Sequence, residues 1–233
     1  MTPDGQPSGR SRTTQLIVLA VLGALLLVGV AIAISQSGGD DDEPEVASGD
    51  VQSLIDGLPQ DGDTLGEPGA PETVLEFADL QCPFCRQFAV NEIPTLLEGP
   101  VSDGRLKLQF RNWVILGPDS EEAAAAALSA GEQDLLWNFV EAFYANQGEE
   151  NSGYVTDEFL RGIAEDAGVP DLDQWEDERD PARWRSQLRE IDDQATELGF
   201  SGTPSFALES GGEVRPLADA VTAADIEGSL SGG

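Results

Sequence analysis

Cys82-Pro83-Phe84-Cys85 stands just behind the apolar segment Thr73 to Ala78, and the 233 residues contain no other cysteine. This arrangement constrains the fold more than any other feature. Thr73 to Ala78 (TVLEFA) has the β-branched and aromatic content of a buried strand. Proline is best tolerated at the first position of a helix, where its missing N–H has no intrahelical partner to lose. The chain must therefore leave a buried strand, turn, and enter a helix that carries Cys82 at its N-terminus, with Cys85 one turn inside. Helical periodicity continues through Phe88, Ala89, Ile93, Leu96 and Leu97. Leu106 to Ile115 (LKLQFRNWVI) reads as the next strand, which closes a strand, helix, strand unit.

Two thiols three positions apart can close into a disulfide ring and open again. A structural zinc site needs four Cys or His ligands, and a chain with two cysteines and no histidine cannot supply them, so no metal is expected. The absence of histidine also removes Ser-His-Asp triads, Cys-His protease pairs and every imidazole base. With 12 Lys and Arg against 44 Asp and Glu, the net charge is -32, which excludes the clustered positive charge of a nucleic-acid site. No cofactor is expected.

Leu16 to Ile34 is an unbroken run of 19 uncharged, apolar residues. As a helix it is about 28 Å long, the thickness of a bilayer core. Arg10 and Arg12 precede it, and Asp40, Asp41, Asp42, Glu43 and Glu45 follow it. The positive-inside rule then puts residues 1–15 in the cytoplasm and everything after the span outside. A cleaved signal peptide, with Ala31-Ile32-Ala33 as the small-x-small site, is the alternative, and it gives a secreted protein. Either way the dithiol is exported to oxidising surroundings. Residues 35–58 are expected to form an acidic flexible linker, within which Val51 to Leu58 could make one short helix, and residues 59–233 a single packed domain.

Past the second strand a helical insertion is expected over about 119–199. Asp119 or Ser120 can cap a helix over Glu121 to Ala130, and Leu135, Leu136, Phe139, Val140, Phe143 and Tyr144 form a helical stripe. Phe159, Leu160, Ile163 and Ala164 suggest a third helix. Asp180-Pro181 opens a fourth, buried through Trp184, Leu188, Ile191, Ala195 and Leu198. The tryptophans Trp113, Trp137, Trp175 and Trp184 read as core. Strands return at Ser205 to Leu208 and Glu213 to Pro216 around a Gly211-Gly212 turn, and Thr222-x-x-Asp225 boxes a last helix.

The order β-α-β, helices, β-β-α, together with Val74-Leu75-Glu76-Phe77 six residues before the first cysteine, Cys-Pro-Phe-Cys itself and Gly202-Thr203-Pro204, resembles the thioredoxin superfamily. More narrowly it resembles the DsbA-like thiol:disulfide oxidoreductases of bacteria. Gly131-Glu132-Gln133 and Asn146-Gln147 are similar to anchored or secreted members. The resemblance, over about residues 60–230, implies an α/β thioredoxin-like fold with a helical insertion, here preceded by a transmembrane helix and an acidic linker.

For the site, the resemblance implies Cys82 as nucleophile and Cys85 as resolving thiol. Pro204 is expected as a cis-proline that exposes the Thr203 backbone to an extended substrate, beside Pro83 and Phe84. Glu76 matches a buried acid that exchanges a proton with the inner thiol, with Asp79 as the runner-up position. Strongly oxidising DsbA enzymes have histidine where this chain has Phe84, which removes one source of thiolate stabilisation. The implied partners are exported proteins with cysteine thiols and a membrane redox partner of the DsbB or vitamin K epoxide reductase type. The expected activity is disulfide formation. Reduction or isomerisation on the same fold is the first alternative, and a redox-silent peptide-binding chaperone the second.

Overall fold

A computed structural model describes residues 48–231 apart from 219 and 221, so the expected membrane span over 16–34 and its flanking charges lie outside the described residues. Among the described residues no helix is long and apolar enough to cross a membrane. The first element is helix α1 (Ser48–Ile55), followed by a small hairpin, β1 (Gln60–Asp61) and β2 (Thr64–Leu65). Val51 and Ile55 of α1 are 2 % and 0 % exposed, so the packed domain reaches back into the segment expected to be linker. Two apolar residues one turn apart bury a face of α1 against the core, so Ser48–Ile55 belongs to the packed domain.

The centre of the molecule is a six-stranded sheet in the order β1-β2-β4-β3-β5-β6. Strand β3 (Glu72–Ala78) lies in the middle, parallel to β4 (Leu106–Asn112) and antiparallel to β5 (Ser205–Ser210), with β6 (Glu213–Pro216) on the edge. Its register sets Glu76 beside Phe110 on one side and Phe206 on the other. Residues alternate across the strand. Leu75 and Phe77 pack with Trp113, Ile191, Ala195 and Ala207 on one face of the sheet, while Val74 and Ala78 join the larger core on the other, where Glu76 also lies.

The crossover from β3 to β4 is α2 (Pro83–Asn91), α3 (Ile93–Leu96) and one π turn, Leu97–Val101. The periodicity predicts one continuous helix there, and the apolar positions are indeed buried. The break at Glu92, with φ -111°, comes just ahead of Pro94, whose missing N–H cannot continue the ladder. Phe88 ties α2 to β5 through its ring contact with Phe206, centroids 4.5 Å apart.

The insertion contains α4 (Pro118–Gly131), α5 (Leu136–Ala145), α6 (Asp157–Asp166), α7 (Leu172–Glu178) and α8 (Pro181–Glu197). Helix α4 starts earlier than expected, at Pro118, and its N-cap is Gly117 at φ 124°, a conformation that strains any residue with a Cβ. Ser120 does not cap; its hydroxyl accepts from Gln81 Nε2 at 2.9 Å. Asp180 caps α8 as expected, accepting from the Ala182 N–H at 2.9 Å. Helix α9 (Ala223–Ser229) begins with the full Thr222–Asp225 capping box. Trp113, Trp137, Trp175 and Trp184 are all buried.

Candidate active site

Strand β3 ends at Ala78, and the Asp79-Leu80-Gln81 loop carries the chain to the start of α2. Asp79, 2 % exposed, holds this loop. Its carboxylate accepts from the N–H groups of Gln81, Ile115 and Leu116 at 2.9, 2.9 and 3.0 Å, and its carbonyl accepts from the Cys82 N–H at 2.9 Å. A carboxylate that receives three backbone donors is a structural clamp, not the proton carrier considered as the runner-up to Glu76. Gln147 supports the loop from α5's C-terminal side, donating to the Leu80 and Cys82 carbonyls at 2.7 and 3.1 Å.

Cys82 is the N-cap of α2 and Pro83 its first residue, as the motif demands. Both sulfurs are free thiols, and both cysteines are buried, Cys85 completely and Cys82 to within 4 %. Cys82 Sγ lies 3.4 Å from the Thr203 carbonyl oxygen, to which its protonated form donates. The Thr203–Pro204 bond is cis. The motif and Gly202-Thr203-Pro204, 121 residues apart, therefore form one surface, rimmed by Phe84 with 67 % of its area in solvent.

The two thiols have opposite electrostatics. Cys82 is pulled down to about 6, first by the hydrogen bond that Cys85 offers its thiolate, against the opposing effect of burial, and further by a hydrogen bond from the Thr203 side chain and by the N–H groups of Cys85 and Phe84. Burial pushes Cys85 well above the ordinary thiol range, and the Cys82 charge adds to it. At neutral pH the pair is a thiolate at the helix end and a neutral thiol behind it.

Glu76 lies on β3 on the face of the core that also holds Val74, Ala78 and Cys85; it is 3 % exposed, with Oε1 lacking a hydrogen-bond partner. Its register neighbours Phe110 and Phe206 are apolar, and burial raises it to about 8. The hydroxyl of Tyr144 on α5 donates to the Asp79 carbonyl at 3.3 Å, and Tyr144 feels the charges of both Cys85 and Glu76. One group escaped the reading of the sequence. Glu141, 4 % exposed and raised to about 8 by burial and by the Glu76 charge, belongs to the same compartment. The signal was present, since a lone carboxyl inside LWNFVEAFYA sits on a helix too apolar to be half-solvated.

Comparison with known proteins gives a consistent picture. Residues 60–220 match the thioredoxin family. A probable disulfide bond formation protein D of Bacillus anthracis is 32 % identical over 146 residues, spanning 61 % of this chain and 67 % of that protein. The crystal structure of oxidised BdbD from Bacillus subtilis superposes with a TM-score of 0.62 at 23 % identity, covering 74 % of this chain and 94 % of that one. A thioredoxin-like oxidoreductase from Silicibacter pomeroyi superposes with a TM-score of 0.57 at 29 % identity, covering 76 % and 93 %.

Proposed function

The chain belongs to the thioredoxin family and is a thiol:disulfide oxidoreductase, and from that premise we propose that it forms disulfides in exported proteins outside the cytoplasmic membrane. The observation that carries the direction is the asymmetry of the dithiol. A Cys82 thiolate near 6 stabilises the reduced form, and a dithiol that is comfortable reduced gives up its disulfide readily.

In the forward reaction a client thiolate attacks Cys82 Sγ, the Cys82–Cys85 bond breaks, and its electron pair goes to Cys85 Sγ. Cys85, which holds a proton far more strongly than Cys82, takes one up from Glu76, a reading supported by a buried carboxyl that keeps its proton to about 8. A second client thiol then attacks the mixed disulfide, which leaves the client oxidised and the Cys82–Cys85 pair reduced. The Thr203 carbonyl beside Cys82, with Pro204, Pro83 and Phe84 around it, is the platform for an extended client peptide. Resetting the pair requires an electron acceptor in the membrane, of the DsbB or vitamin K epoxide reductase type.

Thiol trapping in living cells tests the direction: the oxidase reading expects Cys82 and Cys85 largely as a disulfide at steady state. A fully reduced pair overturns it in favour of a reductase or isomerase. The name of the Bacillus anthracis relative supports disulfide formation. Phe84 in place of histidine favours the weaker oxidant within that class.

A further inference from the structure

Eight of the ten residues of α5 are buried, and two of them are ionisable, Glu141 and Tyr144, one turn apart. The Trp137 ring packs on Phe110, centroids 5.7 Å apart, and the Tyr144 hydroxyl donates to the Asp79 carbonyl at 3.3 Å, so the helix face that carries Glu141 between them lies over the part of the sheet that carries Glu76, whose charge acts on both Glu141 and Tyr144. Glu76 and Glu141 each have an Oε1 buried without a hydrogen-bond partner, and no arginine or lysine acts on either. Asn112, on the same sheet face two residue pairs further along the register, adds an amide whose nitrogen and oxygen are also buried without protein partners. Two carboxyls in a compartment this dry cannot both be ionised, because each is desolvated and each repels the other.

We propose that Glu76 and Glu141 form one proton-storing unit for the Cys82–Cys85 dithiol, in which Glu141 is a positioning residue that lets Glu76 release its proton and prevents the loss of a second. This rests on the proton role given to Glu76 above. When client attack breaks the Cys82–Cys85 bond, the electron pair on Cys85 Sγ takes one proton from Glu76. Cys85 becomes neutral and the carboxyl pair goes from charge zero to minus one. The proton left on Glu141 spares the compartment a second negative charge. In the reverse direction Cys85 returns its proton to Glu76 as it attacks the mixed disulfide.

Of the other charged groups around α5, Asp119 of α4 keeps its Oδ2 buried without a partner, and several others are engaged. From α2, Arg86 donates to the Tyr144 carbonyl at 2.9 Å, and Cys82 and Cys85 are the dithiol itself. The Asp79 carboxylate is taken by three N–H groups. Just after α1, Asp56 accepts from Asn138. Glu122 of α4 and Asp157 of α6 act with Arg179, and Glu165 of α6 pairs with Arg161.

The test is carried out on the full chain, with carboxyl carbon NMR titration of labelled glutamates in the wild type and the pH profile of disulfide reduction by dithiothreitol in E76Q, E141Q, E141D and the double variant E76Q/E141Q. Two glutamates are expected to titrate together, far above the usual carboxylate range. E76Q is expected to slow reduction at neutral pH by about tenfold or more. E141Q is expected to move the Glu76 titration to lower pH and shift the profile with it, and E141D to restore the two-step curve. A single raised glutamate in the wild type overturns the proposal even if E141Q fails to fold. So does an E141Q profile equal to the wild type beside an altered E76Q. An unchanged E76Q profile removes the proton role of Glu76 itself, and the proposal falls with it.

Discussion

Cys82 and Cys85 differ by one helical turn and by their entire electrostatic surroundings, and the difference sets which sulfur meets the client. Cys82 is anionic at neutral pH and adjoins the Thr203 carbonyl, whereas Cys85 is neutral and completely buried. Cys85→Ser is therefore expected to accumulate mixed disulfides between Cys82 and client proteins, visible on non-reducing gels, and Cys82→Ser to accumulate none. The redox potential carries a second signature. Below about pH 6 reduction takes up two protons, and above it one, since Cys82 stays ionised. The slope of potential against pH should thus fall from about 59 to about 30 mV per pH unit on crossing that point. A slope that stays at the two-proton value through pH 8 would place the Cys82 pKa elsewhere. Phe84 supplies only its backbone N–H to the thiolate, so a potential of roughly -150 to -230 mV is expected, between thioredoxin and DsbA. Phe84→His should make the protein more oxidising, read by glutathione titration.

At the scale of elements, the dithiol is held by a loop that no regular hydrogen-bond ladder stabilises. Asp79 clamps that loop to the segment after β4 through Gln81, Ile115 and Leu116. Charge-assisted bonds of this kind contribute about 1.5 to 3 kcal/mol each, and removing the acceptor leaves buried donors unpaired. Asp79→Ala is expected to cost about 3 kcal/mol or more in urea unfolding of the reduced protein and to disturb Cys82 reactivity. Thr222→Ala, which removes the capping box of α9, should cost only about 1 kcal/mol and leave the dithiol untouched. Parts of this arrangement were legible from the chain. Pro83 announced the start of α2, Asp180-Pro181 that of α8, and Thr222-x-x-Asp225 that of α9. The start of α4 was not, because Ser120 looks like a cap until Gln81, 39 residues away, claims its hydroxyl.

For the whole molecule, two buried acids link stability to pH in an unusual direction. Glu76 and Glu141 both rise from the ordinary range to about 8 on folding. A raised folded value means that these groups favour the folded state fully below their unfolded pKa, and that this advantage is lost as pH rises toward 8. Each contributes a slope of up to about 1.4 kcal/mol per pH unit over that window. Urea midpoints of the wild type are expected to fall between pH 5 and 8 relative to E76Q/E141Q, and parallel curves for the two proteins would contradict the raised values. The proposed topology is tested on intact cells. Protease added to spheroplasts should digest the domain without lysis, and full protection until lysis would place the dithiol on the cytoplasmic side.

The local grammar of this chain determined its elements. A buried strand must precede Cys82 and a helix must follow Pro83, because side-chain period, proline's missing donor and capping act within a few residues. The same is true of the Gly211-Gly212 turn between β5 and β6, where both glycines adopt positive φ. Tertiary structure alone decided what surrounds the sulfurs. The Thr203 carbonyl reaches Cys82 across 121 residues, Gln147 steadies the Cys82 carbonyl from 65 residues away, and Glu141 comes to share a compartment with Glu76. Proton affinity depends on solvent exclusion and on which charges lie within a few ångströms, and both are properties of the packed interior that no stretch of neighbouring residues contains.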